Sequence, residues 1–352
     1  MKWQSFYYNF VYGVHLRKPR LIWRMAKNYS RMVFGKTNLL RYVDICVDLK
    51  CNLTCQHCFA ENFKTGQKDS LSDTEWQDVF EQCHRLGNLA LAFTGGEPLL
   101  RRDLESLISR TRVNETLIVV CTNGMLITKE RARSLYEAGV DVFQISVESM
   151  VPEEHNLFRE NIHAWKKTME GIENALEAGI KVAVVPTVSH MNVHSRGFLD
   201  ILEWAQKKRL MVNLALATPT GSWNARNDIL LTEDDIRFIN DLVKQYPHVR
   251  RDFETNYYQR GCGAAKEKLY VTVFGDVLAC PYMHISFGNA REMKLAEIQA
   301  RMLSVEKLDS YYPLCLVAED REFIEGPMAK VFDKDEKVID WKDAFAGPPH
   351  AD

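Results

Sequence analysis

Short runs dense in Val, Ile, Leu and Phe alternate with longer amphipathic stretches from about residue 43 to 230. YVDICVDL (42–49), LALAF (89–93), TLIVVC (116–121), DVFQISV (141–147), KVAVVPTVS (181–189) and MVNLALA (211–217) are short and nearly continuously apolar. They read as parallel strands buried on both faces. The stretches between them, at 71–86, 102–112, 128–138, 164–178 and 195–208, repeat apolar residues at helical spacing. LSDTEW opens the first with Ser72 or Asp73 as N-cap, and EAGV and EAGI close two others at Gly139 and Gly179. Six βα units in a row predict an α/β fold, with a parallel sheet and outer helices, either doubly wound or curled toward a barrel. Right-handed crossovers put the C-terminal end of every strand on one face, where chemistry is expected.

Beyond 230 the pattern changes. Residues 231–254 predict a bridging helix. EKLYVTVFGDVLACPY follows as two short strands around a Gly-Asp turn, then a helix at about 292–304, a loop around Cys315 and a polar tail. The predicted organisation is an arm at 1–41, a core at 42–230, a bridge at 231–254, a second small domain at 255–320 and a tail at 321–352.

Composition changes this picture in two places. The net charge of −2 gives no global reason to expect nucleic acid, yet residues 1–41 hold nine Lys or Arg and no acid. The remainder has 36 basic against 47 acidic residues, a formal −11. In RLIWRMAKNYSRMVFGK (20–36), Ile22, Met25, Ala26, Tyr29, Met32 and Val33 share one helical face, and Arg20, Arg24, Lys27 and Arg31 share another. This predicts a helix that closes the bottom of the core, with peripheral contact to an anionic membrane as a second reading. No window approaches the ~18 apolar residues of a membrane span, and a secretory signal is not evident, so the expected location is cytoplasmic. In that compartment nine cysteines suggest metal or catalysis more than disulfides.

Three of those cysteines, Cys51, Cys55 and Cys58, stand as C-x3-C-x2-C in the polar loop after the first strand. A zinc site usually wants four ligands, a redox pair needs only two thiols, and an iron–sulfur cluster takes thiolates at such short spacings. Buried core thiols are the bland alternative. One βα unit later, FTGGEPLL (93–100) brings paired glycines, which let backbone approach a ligand, and Glu97, which accepts hydrogen bonds from a cation.

Together, the cysteine loop after the first strand and GGEP after the second resemble the radical S-adenosylmethionine (SAM) superfamily. The resemblance implies a partial (β/α)6 TIM-like barrel with a small C-terminal α+β auxiliary-cluster domain. In that family three thiolates hold a 4Fe–4S cluster and SAM chelates the fourth iron. Reductive cleavage of SAM then gives a 5′-deoxyadenosyl radical that abstracts hydrogen from substrate. Carried over, Cys51, Cys55 and Cys58 match the cluster ligands, and His57 stands where the family usually has an aromatic beside adenine. Gly95, Gly96 and Glu97 match the loop that receives the SAM amino group. Asn123 and Gly124 in TNG end the third strand, Ser146 and Glu148 match the ribose and methionyl contact region, and Arg159 resembles an arginine that pairs with the SAM carboxylate. Asn123, Gly124, Glu148 and Arg159 also have plain readings as turn, cap or surface residues. Cys46, Cys83 and Cys121 read as small core residues.

CGAAKEKLYVTVFGDVLAC, from Cys262 to Cys280, followed by GN at 288–289 and by Cys315, resembles the SPASM auxiliary-cluster extension, and its shortened twitch form more nearly, since three cysteines are present instead of seven. It implies one auxiliary 4Fe–4S cluster held by Cys262, Cys280 and Cys315, its fourth ligand being His284, Asp320, solvent or substrate. Zinc at this set, with His284 as fourth ligand, and plain packing stay open. Tyr270, His284, Arg226 and Asp228 fall near the expected cavity by position only. The implied function is hydrogen abstraction from a small, anionic biosynthetic substrate, leading to dehydrogenation, rearrangement or bond formation, with a flavodoxin- or ferredoxin-type electron donor. A maturase of a peptide or protein side chain is the alternative within the class. A non-catalytic iron–sulfur or zinc electron carrier or sensor is the alternative outside it.

Overall fold

A computed structural model describes residues 8, 11–13, 15–35, 39–64, 69–254, 256, 261–332 and 338–345. The apolar runs form parallel strands β1 (Tyr42–Asp48), β2 (Ala90–Gly95), β3 (Leu117–Thr122), β4 (Val142–Ile145), β5 (Lys181–Val184), β6 (Thr187–Val188) and β7 (Met211–Leu216). Every residue of β2 and β7 is buried, as a sheet covered on both faces requires. Helices α1 (Pro19–Gly35), α2 (Asp73–Arg85), α3 (Leu104–Ser109), α4 (Lys129–Ala138), α5 (Pro152–Arg159), α6 (Ala164–Glu177) and α7 (Arg196–Lys208) accompany them. The sheet curls into a partial barrel of βα units.

The local signals act where they were read. Ser72 caps α2 in a reciprocal box, its Oγ accepting from Glu75 N while the Glu75 carboxylate accepts from Ser72 N. Gly139 ends α4 in the left-handed conformation. Three segments depart from expectation. The run 181–189 divides into β5 and β6 around Val185 and Pro186, because Pro186 has no N–H to give to the ladder. The expected bridging helix at 231–254 stops at Gln245: Tyr246, ahead of Pro247, turns extended. The chain then forms β8 (Val249–Arg251), which pairs in parallel with β7. Helix α5 was not expected, although Pro152 at its first turn, Glu153 and Glu154 after it and Arg159 in its last turn are a start-and-stop signature.

The C-terminal hairpin, β9 (Lys268–Val271) with β10 (Val277–Leu278), is antiparallel as predicted. It does not stand apart from the barrel: β9 pairs in parallel with the free edge of β1, setting Lys268 beside Tyr42 and Tyr270 beside Asp44. The sheet order is β10-β9-β1-β2-β3-β4-β5-β7-β6, with β8 on β7. Inside the barrel Tyr8, Ala92, Val119, Val142, Ala183 and Met211 form an apolar plug at the N-terminal end of the strands. The N-terminal segment closes this end. Tyr12 Oη donates to Val182 O, and buried Lys18 Nζ donates to Thr116 O at 3.0 Å, Gly139 O at 2.9 Å and the Asp141 carboxylate.

Two buried histidines give the fold a predictable acid response. His155 Nδ1 accepts from Glu148 N at 3.2 Å, and His284 Nδ1 lies 3.0 Å from Asn62 Nδ2. Burial pushes both imidazoles down to about 3 from the ordinary 6.5, with Arg159 adding to the effect at His155. The unfolded chain therefore binds protons between pH 6.5 and 3 that the folded chain refuses, so stability falls as pH drops below 6.5. Each histidine costs about 2 kcal/mol by pH 5. Burial lowers His15, His57, His84 and His248 as well. Urea unfolding of wild type at pH 7 and pH 5 therefore measures a loss shared among all of them, of which His284→Gln removes about 2 kcal/mol. Equal acid sensitivity in wild type and variant contradicts the assignment.

Candidate active site

The C-terminal ends of the strands open onto a chamber. Above the apolar plug, the inward positions turn polar: Tyr42 and Asp44 on β1, Thr94 on β2, Cys121 on β3, Gln144 on β4 and Ser146 just after it all line the cavity. Cys121, expected in the core, thus faces the chamber, with its Sγ 3.5 Å from Gln144 Oε1; Cys46 and Cys83 are fully buried as expected.

Cys51, Cys55 and Cys58 line the same chamber from the loop after β1. The loop is held from several sides. Cys58 N donates to Cys55 O, Gln56 N donates to Phe158 O of α5, Ser222 N donates to Cys58 O, and Asn123 Nδ2 donates to Asn52 Oδ1 at 2.8 Å. Burial pushes the Cys51 thiol up to about 11, with Glu97, Cys55 and Cys58 adding to it, and burial also raises Cys58. Neutral thiols of this kind become thiolates only when a bound cation compensates their charge.

Gly95 and Gly96 line the chamber beside this loop. Gly96 N donates to Asp48 O and Glu97 N to Lys50 O, both at 2.8 Å, so the end of β2 is laced to the start of the thiol loop. Gly95 has φ +137°, and a Cβ on either glycine would fall within 2.1 or 2.3 Å of a backbone oxygen. Only glycine permits this approach.

Two acidic residues stand behind the chamber wall instead of on it. Glu97 is fully buried and accepts from Leu99 N at 3.0 Å, Thr122 Oγ1 at 2.7 Å and Asn123 N at 2.8 Å, tying the β2 loop to the TNG turn after β3. Burial raises its pKa while these donors oppose the shift. Glu148 accepts from Thr187 N at 2.8 Å and pairs with Arg159. Protein donors thus engage both carboxylates. Arg159 does line the chamber, with Nη1 3.5 Å from Cys55 Sγ and its buried Nε without a partner. His57 lines it too, its ring 4.6 Å from Phe158 and 5.7 Å from Trp223, and its buried Nδ1 likewise has no partner. Asn123 and Ser146 complete this part of the lining.

A further cavity adjoins the first, and Cys262, Cys280 and Cys315 all line it. Burial raises all three thiols, Cys280 to about 12. The expected fourth ligands are placed elsewhere. His284 faces Asn62 and packs 4.6 Å from Phe63, while Asp320 caps the turn at Phe323 and takes Lys307 Nζ at 2.8 Å. Zinc at this set is thereby left without the histidine it would need. Among the described residues, no three His, Cys, Asp or Glu side chains converge as a single metal ion requires.

Asp252, Lys268, Pro281 and Tyr282 belong to the walls of both cavities, so they form the partition between the thiol sets. The sequence reading missed Asp44, Asp252 and Lys268. The one available signal was a carboxylate in the middle of an otherwise apolar strand. Of the residues flagged by position alone, Tyr270 is fully buried beneath Phe63, and Arg226 pairs with Asp228 at the surface; neither lines the chamber.

The geometry can be set beside known proteins. The profile of the Radical SAM superfamily matches residues 49–205, and that of the SPASM iron–sulfur cluster-binding domain matches residues 262–316. An AdoMet-dependent heme synthase of Nitratidesulfovibrio vulgaris is 27% identical over 282 residues, covering 72% of this chain and 76% of that protein. A PqqA peptide cyclase of Rhizobium meliloti is 29% identical over 269 residues, covering 71% and 70%. Streptococcus suis SuiB bound to precursor peptide SuiA shares the fold at a TM-score of 0.59 with 15% identity, covering 84% of this chain and 72% of that one. Each thiol set lies in a segment matched by its own profile. The chain therefore belongs to the radical SAM superfamily, as an enzyme that uses S-adenosylmethionine and 4Fe–4S clusters and carries an additional iron–sulfur cluster-binding domain.

Proposed function

We propose that Cys51, Cys55 and Cys58 hold the SAM-chelating cluster, that Cys262, Cys280 and Cys315 hold an auxiliary cluster, and that substrate occupies the chamber between them. The observation that carries this reading is the pair of adjoining cavities with one shared wall, Cys51, Cys55 and Cys58 lining one and Cys262, Cys280 and Cys315 the other. The residues fit the groups: the donors are sulfurs, as iron–sulfur clusters take, and two buried nitrogens, His57 Nδ1 and Arg159 Nε, wait unpartnered on the chamber side. Bound cluster and SAM would supply reductive cleavage of SAM and hydrogen-atom abstraction from substrate. The chain's own residues position and exclude water. Gly95 and Gly96 offer close backbone approach, and His57, Asn123, Ser146 and Arg159 surround the cofactor. Glu97 and Glu148 hold those residues in place from behind.

The substrate reading favoured here is a small biosynthetic molecule, since proteins named heme synthase and GTP 3′,8-cyclase are among the relatives. A peptide is the second reading, favoured by the peptide cyclase relative. The test is anaerobic reconstitution followed by reduction with SAM present. The expected result is 5′-deoxyadenosine from wild type and none from Cys55→Ala. No 5′-deoxyadenosine from a cluster-loaded wild type overturns the reading.

We also propose that α1 rests on an anionic membrane. Trp23 and Phe34 are 68% and 85% exposed, Tyr29 and Val33 are exposed beside them, and Lys27 Nζ lies 5.3 Å from the Trp23 ring. Arg20, Lys27 and Arg31 flank this apolar strip with no acidic residue on the helix. No helix among the described residues is long and apolar enough to cross a membrane, so contact would be interfacial. Cosedimentation with phosphatidylglycerol vesicles is expected to fall about 30-fold in an Arg20→Ala, Lys27→Ala variant, at about 1 kcal/mol per basic residue. Equal binding to neutral phosphatidylcholine vesicles contradicts the proposal.

A further inference from the structure

We propose that Asp44 selects the substrate, and that the group it takes is a protonated amine. This rests on the reading of the chamber as the substrate site. Asp44 points inward from β1 at the level where the polar chamber begins; it is 7% exposed, and its buried Oδ2 has no hydrogen-bond partner. Burial raises this carboxyl to about 7 while Lys268 opposes the shift, so a cationic group that enters the chamber stabilises its charged form.

The neighbours narrow what that is. Strand register places Lys268 opposite Tyr42, two residues before Asp44 along β1. Its ammonium bonds Asp252, with Nζ to Oδ2 at 3.0 Å, and acts on Asp44 without a hydrogen bond to it. The other groups on which Asp44 acts are neutral: Tyr42 and Cys121, each in contact with Gln144, and Tyr270 and Tyr282. The only other cation lining the chamber among the described residues is Arg159, which faces Glu148 and Cys55 at the opposite, cofactor side. Arg250 also acts on Asp252, so the acceptor left without a donor in this wall is Asp44 Oδ2. An anionic group cannot donate to it, whereas an ammonium can. This turns the expectation of an anionic substrate around, at least for the part of the molecule that reaches β1: the substrate class becomes an amine-bearing one, such as an amino acid, an amino sugar or a lysine-like side chain.

The test uses anaerobically reconstituted, SAM-bound protein and three probes of one size: n-butylammonium, butyrate and n-butanol. Binding is followed by saturation-transfer NMR at about 10 mM, a range that such small fragments reach. Butylammonium is expected to bind in preference to the other two, with affinity reduced at least tenfold in Asp44→Asn. Lys268→Met, which removes the competing ammonium, is expected to tighten it, so the proposal stays testable if one variant fails to fold. Preference for butyrate, no butylammonium binding, or equal binding in wild type and Asp44→Asn overturns the inference. Iron and sulfide content of the same samples separates two failures: missing clusters count against the cofactor assignment, and loaded clusters without amine binding count against Asp44.

Discussion

Replacing Cys51, Cys55 and Cys58 together by alanine lowers the iron content of the reconstituted protein from about eight per chain to about four, the count for two cubane clusters reduced to one. It also abolishes 5′-deoxyadenosine formation. The complementary variant, with Cys262, Cys280 and Cys315 replaced, also falls to about four irons but keeps SAM cleavage. The asymmetry follows from placement. Cys51, Cys55 and Cys58 share their chamber with Gly95, Gly96, His57 and Arg159, whereas Cys262, Cys280 and Cys315 face the adjoining cavity behind Asp252 and Lys268. Iron analysis and product chromatography on the two variants check this. Loss of all iron from the first variant would mean that the C-terminal thiols hold no cluster of their own.

Gly96→Ala is expected to disable the enzyme although it changes no chemical group. The added methyl would sit 2.3 Å from Lys50 O and 2.7 Å from Leu49 O, which are backbone atoms immediately ahead of Cys51. Backbone cannot rotate away as a side chain can, so the loop carrying Cys51 must shift. Overpacking of this kind costs about 1–3 kcal/mol of stability, and a displacement of about 1 Å at a site that depends on orientation costs about 100-fold in rate. Urea midpoints and the rate of 5′-deoxyadenosine formation measure the two effects. A variant with wild-type rate would show that the close approach of β2 to the thiol loop does not position the site.

What the sequence disclosed and what it withheld divide along a physical line. Strands such as LALAF and MVNLALA were legible because burial on both faces leaves a continuous apolar run, and the thiol loop and paired glycines were legible because their chemistry is local. Helix α5 was missed although Pro152 announced it, and β8 was hidden by the helical pattern ahead of Pro247. The larger omissions are long-range. Nothing local to KLYV tells that β9 joins the edge of β1, yet that pairing sets Lys268 near Asp44 and makes the partition between the cavities. The roles of Glu97 and Glu148 were likewise out of reach. Each is a carboxylate at the end of a strand, and only the packed fold shows that backbone N–H groups, Thr122 and Arg159 engage them from behind the wall.

The most direct measurement is electron paramagnetic resonance of the reduced protein, with and without SAM, in wild type and in both cysteine triple variants. If SAM belongs to the Cys51, Cys55 and Cys58 set, its addition changes the signal of wild type and of the variant lacking Cys262, Cys280 and Cys315. The variant lacking the first set then gives a signal that SAM leaves unchanged. A SAM-sensitive signal that survives loss of Cys51, Cys55 and Cys58 would contradict the account.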